Sequence, residues 1–249
     1  MIIANTQDPA IGTHASVTDE AIILVGGRGT RLRAVVSDVP KPLAPVAGRP
    51  FLAWLLDSLG SRGIGRVILA TGHMSEKIRA FVGDDWHGIS IDYSHEEVPL
   101  GTGGALRKAA TLLKGDSVHV LNGDTFLDYS PAGLAQATRA ANAAIGIALA
   151  AVDDVARYGA VEMLHGKVAA FHEKGASGPG LINAGSYFLD ASALVLLKAA
   201  PTVFSFESEL LVPLARQGCV AGFAETSAFI DIGVPEDYQR AQAVFGQPA

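Results

Sequence analysis

Ala21-Ile22-Ile23-Leu24-Val25-Gly26-Gly27-Arg28-Gly29-Thr30-Arg31-Leu32-Arg33 is the stretch on which the fold turns. Its apolar run, 21–25, is too short for a helix. It ends in glycines and reads as a strand buried on both faces, the kind found at the centre of a parallel sheet. Glycines at the carboxyl end of such a strand let backbone N–H groups come close to an anion, and open α/β sheets bind ligands at that edge. Arg31 adds a forked cation suited to phosphate oxygens. Two common phosphate loops are excluded. No Gly-Lys-Ser/Thr closes the stretch, and Leu32 stands where the dinucleotide fingerprint has its third glycine. Taken alone, the loop also reads as a glycine-rich turn with exposed arginines.

The same pairing of apolar run and helix-compatible stretch recurs along the chain. Helical spacing covers 51–59, with Phe51, Trp54, Leu55 and Leu59 on one face. A strand at 67–71 precedes a helix at 75–82, with Ser75 at its N-cap. A strand at 89–94, a helix at 102–113 and a strand at 118–121 follow. Beyond Asn122 the pattern gives a helix at 131–143 and a strand at 145–152. Two shorter strands, 159–164 and 168–173, are joined by His165-Gly166 as a turn. A strand at 182–189, helices near 191–198 and 207–216, strands near 219–224 and 228–231, and a helix from Pro235 complete the chain. Strands alternating with helices specify an α/β fold with a mostly parallel, mixed central sheet covered on both sides. No linker divides it, so 20–249 reads as a single domain behind a mobile leader at 1–19.

Composition sets the outer limits. Of 249 residues, 49% are hydrophobic and 18% charged, ample material for a large core and too apolar for disorder throughout. The net charge of −6 leaves no basic footprint for nucleic acid, so any polyanion must be held by a few placed cations. The longest apolar run, 143–152, is about half of the ~20 residues that span a bilayer, and no basic n-region opens the chain. A single cysteine, Cys219, excludes an intramolecular disulfide and reads as a core residue. A cytoplasmic protein is expected. Among the seven histidines none has metal-motif spacing.

Pro40-Lys41-Pro42-Leu43-Ala44-Pro45-Val46-Ala47-Gly48-Arg49-Pro50 carries four prolines, which fix an extended, stiff path. A lysine held between two of them suits a point charge set against a phosphate better than a solvated surface charge. Together, Gly26-Gly27-Arg28-Gly29-Thr30-Arg31-Leu32 and Pro40-Lys41-Pro42 resemble the signature of sugar-1-phosphate nucleotidylyltransferases. These enzymes transfer a nucleoside monophosphate from an NTP to a sugar 1-phosphate. The likeness runs from about Ala21 to Tyr238 and implies a Rossmann-like, glycosyltransferase-A-like domain. One departure is Arg33-Ala34-Val35-Val36-Ser37-Asp38 where many members have Pro-Leu-Thr. With Gly48-Arg49-Pro50-Phe51-Leu52, that variant most resembles the heptose 1-phosphate guanylyltransferase branch.

The resemblance implies roles for particular residues. Arg31 and Lys41 are the catalytic cations. Leu24, Gly26, Gly27, Gly29, Thr30, Glu96, Gly101 and Thr102 line the nucleotide. Asp124, after a strand, and Asp231, before the last helix, match the aspartates that hold Mg²⁺, a cation that favours oxygen ligands. Each alone also reads as a turn-forming or helix-approach aspartate. Gly159, Glu173, Lys174 and Asn183 match the sugar-phosphate pocket, although Glu173-Lys174 also reads as an ordinary exposed pair and Gly159 as a turn.

Glu96-Glu97-Val98-Pro99-Leu100-Gly101-Thr102-Gly103-Gly104 matches the base-reading segment. Uridylyl- and thymidylyltransferases usually have glutamine where this chain has Glu96. An ionised carboxylate only accepts hydrogen bonds, which fits the adjacent N1–H and N2–H₂ donors of guanine and repels pyrimidine carbonyls. Glu97 competes for the role, and both also read as solvent-facing charges. GTP and D-glycero-α-D-manno-heptose 1-phosphate are the substrates expected, with mannose 1-phosphate the runner-up, then a uridylyl- or thymidylyltransferase on a hexose 1-phosphate. A non-catalytic sugar-nucleotide sensor is the alternative class. It is disfavoured because Arg31, Lys41, Asp124, Asp231 and Lys174 are all present. Lacking an added C-terminal β-helix, the protein is expected to be a monomer or small homo-oligomer.

Overall fold

The computed structural model describes residues 18–27, 39–233 and 235–246. The first apolar run is a central strand, β1 (Glu20–Leu24). After it come β2 (Pro45–Val46), β3 (Arg49–Pro50), α1 (Phe51–Gly60), β4 (Arg66–Thr71), α2 (Ser75–Val82), β5 (Asp85–Trp86), β6 (Ile89–His95), α3 (Gly101–Ala109) and β7 (Val118–Asn122). The second half runs β8 (Thr125–Tyr129), α4 (Pro131–Ala140), β9 (Ile145–Val152), β10 (Val161–Leu164), β11 (Lys167–Phe171) and β12 (Gly180–Leu189). It closes with α5 (Ala191–Ala199), α6 (Val212–Arg216), β13 (Val220–Phe223), β14 (Thr226–Asp231) and α7 (Pro235–Phe245).

Ten strands form one sheet in the order β10-β11-β13-β9-β12-β7-β1-β4-β6-β5. Within it β5, β11 and β12 run against the other seven. Alternate residues of β1 serve opposite layers. Ile22 packs with Leu106 of α3 and Leu197 of α5, while Ala21 and Ile23 pack with Leu56 of α1, Ile78 of α2 and Ala241 of α7. Each fully buried leucine or isoleucine contributes about 1.5–3 kcal/mol, which explains why the central strands are unbroken apolar runs.

The second half differs from expectation in one important way. β8 was not anticipated, and it pairs antiparallel with β14 in a ribbon outside the main sheet, Thr125 opposite Asp231. Smaller corrections have local causes. Ser75 is the first residue of α2, and Met74, with φ 58°, takes the N-cap position without a side-chain cap bond. The helix expected over 102–113 is α-helical to Ala109 and then tightens to a 3₁₀ turn at Ala110–Leu112. α4 stops at Ala140 because Asn142 turns left-handed (φ 48°) and the Ala143 N–H folds back to the Thr138 carbonyl at 3.0 Å. Pro40–Pro50 is less extended than its prolines suggest. Lys41–Leu43 forms a 3₁₀ turn, and Ala47-Gly48 closes the β2–β3 hairpin. Cys219 is half-buried at the core margin, where a core position was expected.

Within the core, His119 on β7 is fully buried between Ala21 of β1 and Phe188 of β12, and neither ring nitrogen has a hydrogen-bond partner. Burial, aided by the positive charge of Arg139, pushes its pKa down to about 4. No helix among the described residues is long and apolar enough to cross a membrane.

Candidate active site

The carboxyl ends of β1, β4, β6 and β7 open into a cleft of about 710 Å³. Of the residues expected to act there, Leu24, Gly26, Gly27, Lys41, Glu96, Gly101, Thr102 and Asp124 line it. Gly29, Thr30 and Arg31 lie outside the described residues, as does nearly all of the leader at 1–19. The strand ends are tied together at the cleft floor. The Val25 N–H donates to the Ala70 carbonyl at 2.9 Å, and the Gly123 N–H to the Leu24 carbonyl at 2.9 Å.

At one end the glycines of β1 and β4 stand almost in contact. A Cβ on Gly72 would meet the Gly26 carbonyl oxygen at 3.0 Å, and one on Gly26 would meet Glu96 Oε1 at 3.1 Å. Glu96 is held in place by two bonds. Its backbone N–H donates to the Thr71 carbonyl at 2.8 Å, and its Oε2 accepts the Leu100 N–H at 2.8 Å. The carboxylate therefore both caps the start of α3 and leaves Oε1 beside Gly26. Glu97 also borders the cleft but is exposed. Gly101 has φ 75°, and an added Cβ would lie 2.4 Å from the Phe204 carbonyl oxygen, so only glycine lets α3 begin flush against that segment.

At the other end three charges converge. Lys41 Nζ lies 2.5 Å from Asp124 Oδ2, its side chain only 14% exposed. The β8–β14 ribbon brings Asp231 beside this pair, and the Ile232 N–H donates to the Asp124 carbonyl at 3.0 Å. Asp231 Oδ1 accepts the Gly233 N–H at 2.6 Å. Burial and the neighbouring Asp124 charge raise the Asp231 pKa, against the pull of Gly233 and Lys41. Two carboxylates whose mutual repulsion is only partly neutralised, offering oxygen alone, fit a small hard divalent cation completed by phosphate oxygens and water. No group of three or more metal-type side chains exists among the described residues, so any such ion depends on a ligand for the rest of its shell.

The expected sugar-phosphate residues are less gathered. Gly159 has φ 83°, and a Cβ there would press on the His172 carbonyl oxygen at 2.5 Å, so its glycine is needed for packing between the 153–159 loop and β11. Asn183 sits in an irregular stretch of β12, its Oδ1 accepting the Gly185 N–H and its Nδ2 donating to the Tyr187 hydroxyl, both at 2.9 Å. Glu173 and Lys174 are exposed on the loop between β11 and β12, and none of these four borders the cleft described above.

Several residues at the site escaped sequence reasoning. His73 and His95 border the cleft, as do Asn122 and Glu207. Arg157 donates to Asp237 Oδ2 at 2.8 Å and Tyr158 to the same oxygen at 3.1 Å, fastening the 153–159 loop to the start of α7. Burial and the Asp237 charge push the Tyr158 phenol up to about 12. The run Tyr158-Gly159 beside Pro235-Glu236-Asp237 offered no spacing signal, since 79 residues separate Tyr158 from Asp237.

The chain resembles known proteins in sequence and in fold. The chain is 42% identical over 223 residues to D-glycero-alpha-D-manno-heptose 1-phosphate guanylyltransferase of Aneurinibacillus thermoaerophilus, covering 90% of this chain and 96% of that one. It is 37% identical to mannose-1-phosphate guanylyltransferase of Mycobacterium tuberculosis, covering 90% of this chain and 64% of that one. Among solved structures, HddC from Yersinia pseudotuberculosis complexed with GMP-PN is 35% identical with a TM-score of 0.81, covering 91% of this chain and 99% of that one. The nucleotidyl transferase family model matches residues 20–247, the span that runs from β1 past the end of α7. With the glycine-walled cleft, the lysine and the paired aspartates all inside that span, the chain belongs to the nucleotidyl transferase family.

Proposed function

We propose that the protein transfers GMP from GTP to D-glycero-α-D-manno-heptose 1-phosphate, giving GDP-heptose and pyrophosphate for capsule or other surface polysaccharide synthesis. One observation carries this reading. A single cleft has an acceptor-only carboxylate, Glu96, at its glycine-walled end and the Lys41–Asp124 pair, with Asp231 beside it, at the other. The names of both guanylyltransferase relatives support the base, and that of the Aneurinibacillus thermoaerophilus protein supports the sugar.

In this reading Glu96 accepts from the N1–H and N2–H₂ of guanine, and the triphosphate lies along Gly26 and Gly27 toward Lys41. Arg31 and Lys41 stabilise the phosphate charge that develops as a sugar-phosphate oxygen attacks the α-phosphorus in line and pyrophosphate leaves. No general base is needed, since a phosphate monoester loses its second proton near about pH 6. Asp124 and Asp231 would hold Mg²⁺, which when bound supplies positive charge to the phosphate oxygens. Lys174 orients the sugar phosphate, with Gly159, Glu173 and Asn183 around the sugar. The chain works as one domain over 20–249, in the cytoplasm, as a monomer or small homo-oligomer, without nucleic acid or membrane.

A crossed screen of GTP, UTP, dTTP, ATP and CTP against a panel of sugar 1-phosphates, read by pyrophosphate release, tests it. GTP with the heptose 1-phosphate should give the highest kcat/KM. A preference for mannose 1-phosphate would replace the sugar, and one for UTP or dTTP would overturn the base. No turnover with any pair would leave a sugar-nucleotide sensor.

A further inference from the structure

Glu207 stands on the wall of the cleft, on a turn where the chain widens to i→i+5 bonding over Glu207–Leu211 just before α6. Such widened turns are rare and recur at functional sites. Its Oε2 accepts the Thr102 hydroxyl at 2.7 Å, and that hydroxyl oxygen accepts the Phe206 N–H at 2.9 Å. No cation pairs with Glu207 among the described residues. Thr102 engages one of its oxygens, which leaves Oε1 to accept from another donor in the cleft.

The surroundings point to which donors. Glu207 follows Phe206, whose ring meets the buried Tyr187 ring edge-on at 5.1 Å, and the Tyr187 hydroxyl accepts from Asn183 Nδ2 at 2.9 Å, so the segment that holds Thr102 of α3 also packs on β12 beside Asn183. In the sheet β12 lies beyond β7, on the side away from β4 and β6, whose ends form the glycine-walled end with Glu96. A carboxylate repels phosphate oxygens and accepts from hydroxyls.

We propose that the second oxygen of Glu207, Oε1, accepts a hydrogen bond from a ring hydroxyl of the acceptor sugar, making Glu207 a specificity-determining residue. This inference rests on the transferase reading above. Glu207→Gln preserves an acceptor for Thr102 while turning a donor toward the cleft.

Kinetics of this variant against wild type, varying GTP and heptose 1-phosphate separately, should show KM for the sugar raised about tenfold or more with KM for GTP within about twofold. Glu207→Asp, which keeps the charge but withdraws it, should give a smaller rise. Among monodeoxy sugar 1-phosphates, one should bring wild type and Glu207→Gln to equal kcat/KM, because the hydroxyl being read is already gone. Equal rises in both KM values, a change confined to GTP, or a gap that 2′-deoxy-GTP closes would each overturn the assignment to the acceptor sugar. Wild-type turnover with unchanged sugar KM in both variants removes this inference alone. Absence of wild-type turnover removes the transferase reading and this inference with it.

Discussion

Lys41 answers two demands with one charge. It pairs with Asp124 at 2.5 Å, and in the proposed reaction it turns to phosphate. Lys41→Ala should therefore lower kcat by about 10²–10³-fold, the usual cost of losing one placed donor at a charge-developing centre. The variant should unfold in urea at nearly the wild-type midpoint, and near-wild-type turnover would remove Lys41 from the mechanism. Asp124→Asn and Asp231→Asn should each raise the Mg²⁺ concentration for half-maximal turnover by about tenfold or more, since even outer-shell losses typically cost about 10–100-fold. An unchanged Mg²⁺ titration in either variant would dismiss that aspartate as a ligand. Gly101 makes the complementary, purely steric point. Gly101→Ala forces a left-handed residue against the Phe204 carbonyl at 2.4 Å and should cost about 1–3 kcal/mol, read from the urea midpoint.

Among the elements, the 153–159 loop is tied to α7 by one buried carboxylate. Asp237 takes both Arg157 and Tyr158, and its side chain is only 10% exposed. Asp237→Ala should destabilise the fold by about 1–3 kcal/mol, because two donors lose their partner. A denaturation curve matching wild type would show that the loop is held by other contacts. Elements were legible in the sequence where both faces are buried, since β1, β4 and β9 are continuous apolar runs that leave little choice of structure. β8 was hidden because it follows Asn122-Gly123-Asp124 directly and shows only a short alternation of buried and half-buried residues, satisfied by β14 about a hundred positions later. Lys41 was legible because prolines flank it. Glu207 was not, because its partner Thr102 is 105 residues away and Ser205–Glu209 reads like an ordinary helix start. The insertion of β12 between β7 and β9 likewise has no local signature, since strand order is decided by packing among distant segments.

On the scale of the whole molecule, stability should respond to acid through His119. In the unfolded chain a histidine takes its proton near pH 6.5, but in the fold it resists until about pH 4. Between those values the unfolded state binds more protons, so stability falls as pH drops through this window, by about 3 kcal/mol in total. His119→Leu, which fills the same apolar space without a titrating group, should flatten that limb in urea titrations from pH 7.5 to 4.5. Equal acid slopes in the two proteins would assign the sensitivity to other groups.

The β8–β14 ribbon has one more consequence, for a chain emerging from the ribosome. Residues through Asn122 contain every strand whose carboxyl end forms the glycine-walled cleft, and they precede β14 by about a hundred positions. These early strands cannot settle alone, since the two faces of β1 pack on Leu197 of α5 and Ala241 of α7, which emerge late, and a domain folds as a unit. The second aspartate arrives only when β14 finally pairs with β8. A chain that stops short of α7 thus lacks both the packing that seats β1 and, before β14, one half of the carboxylate pair, so the cleft and its charges form together.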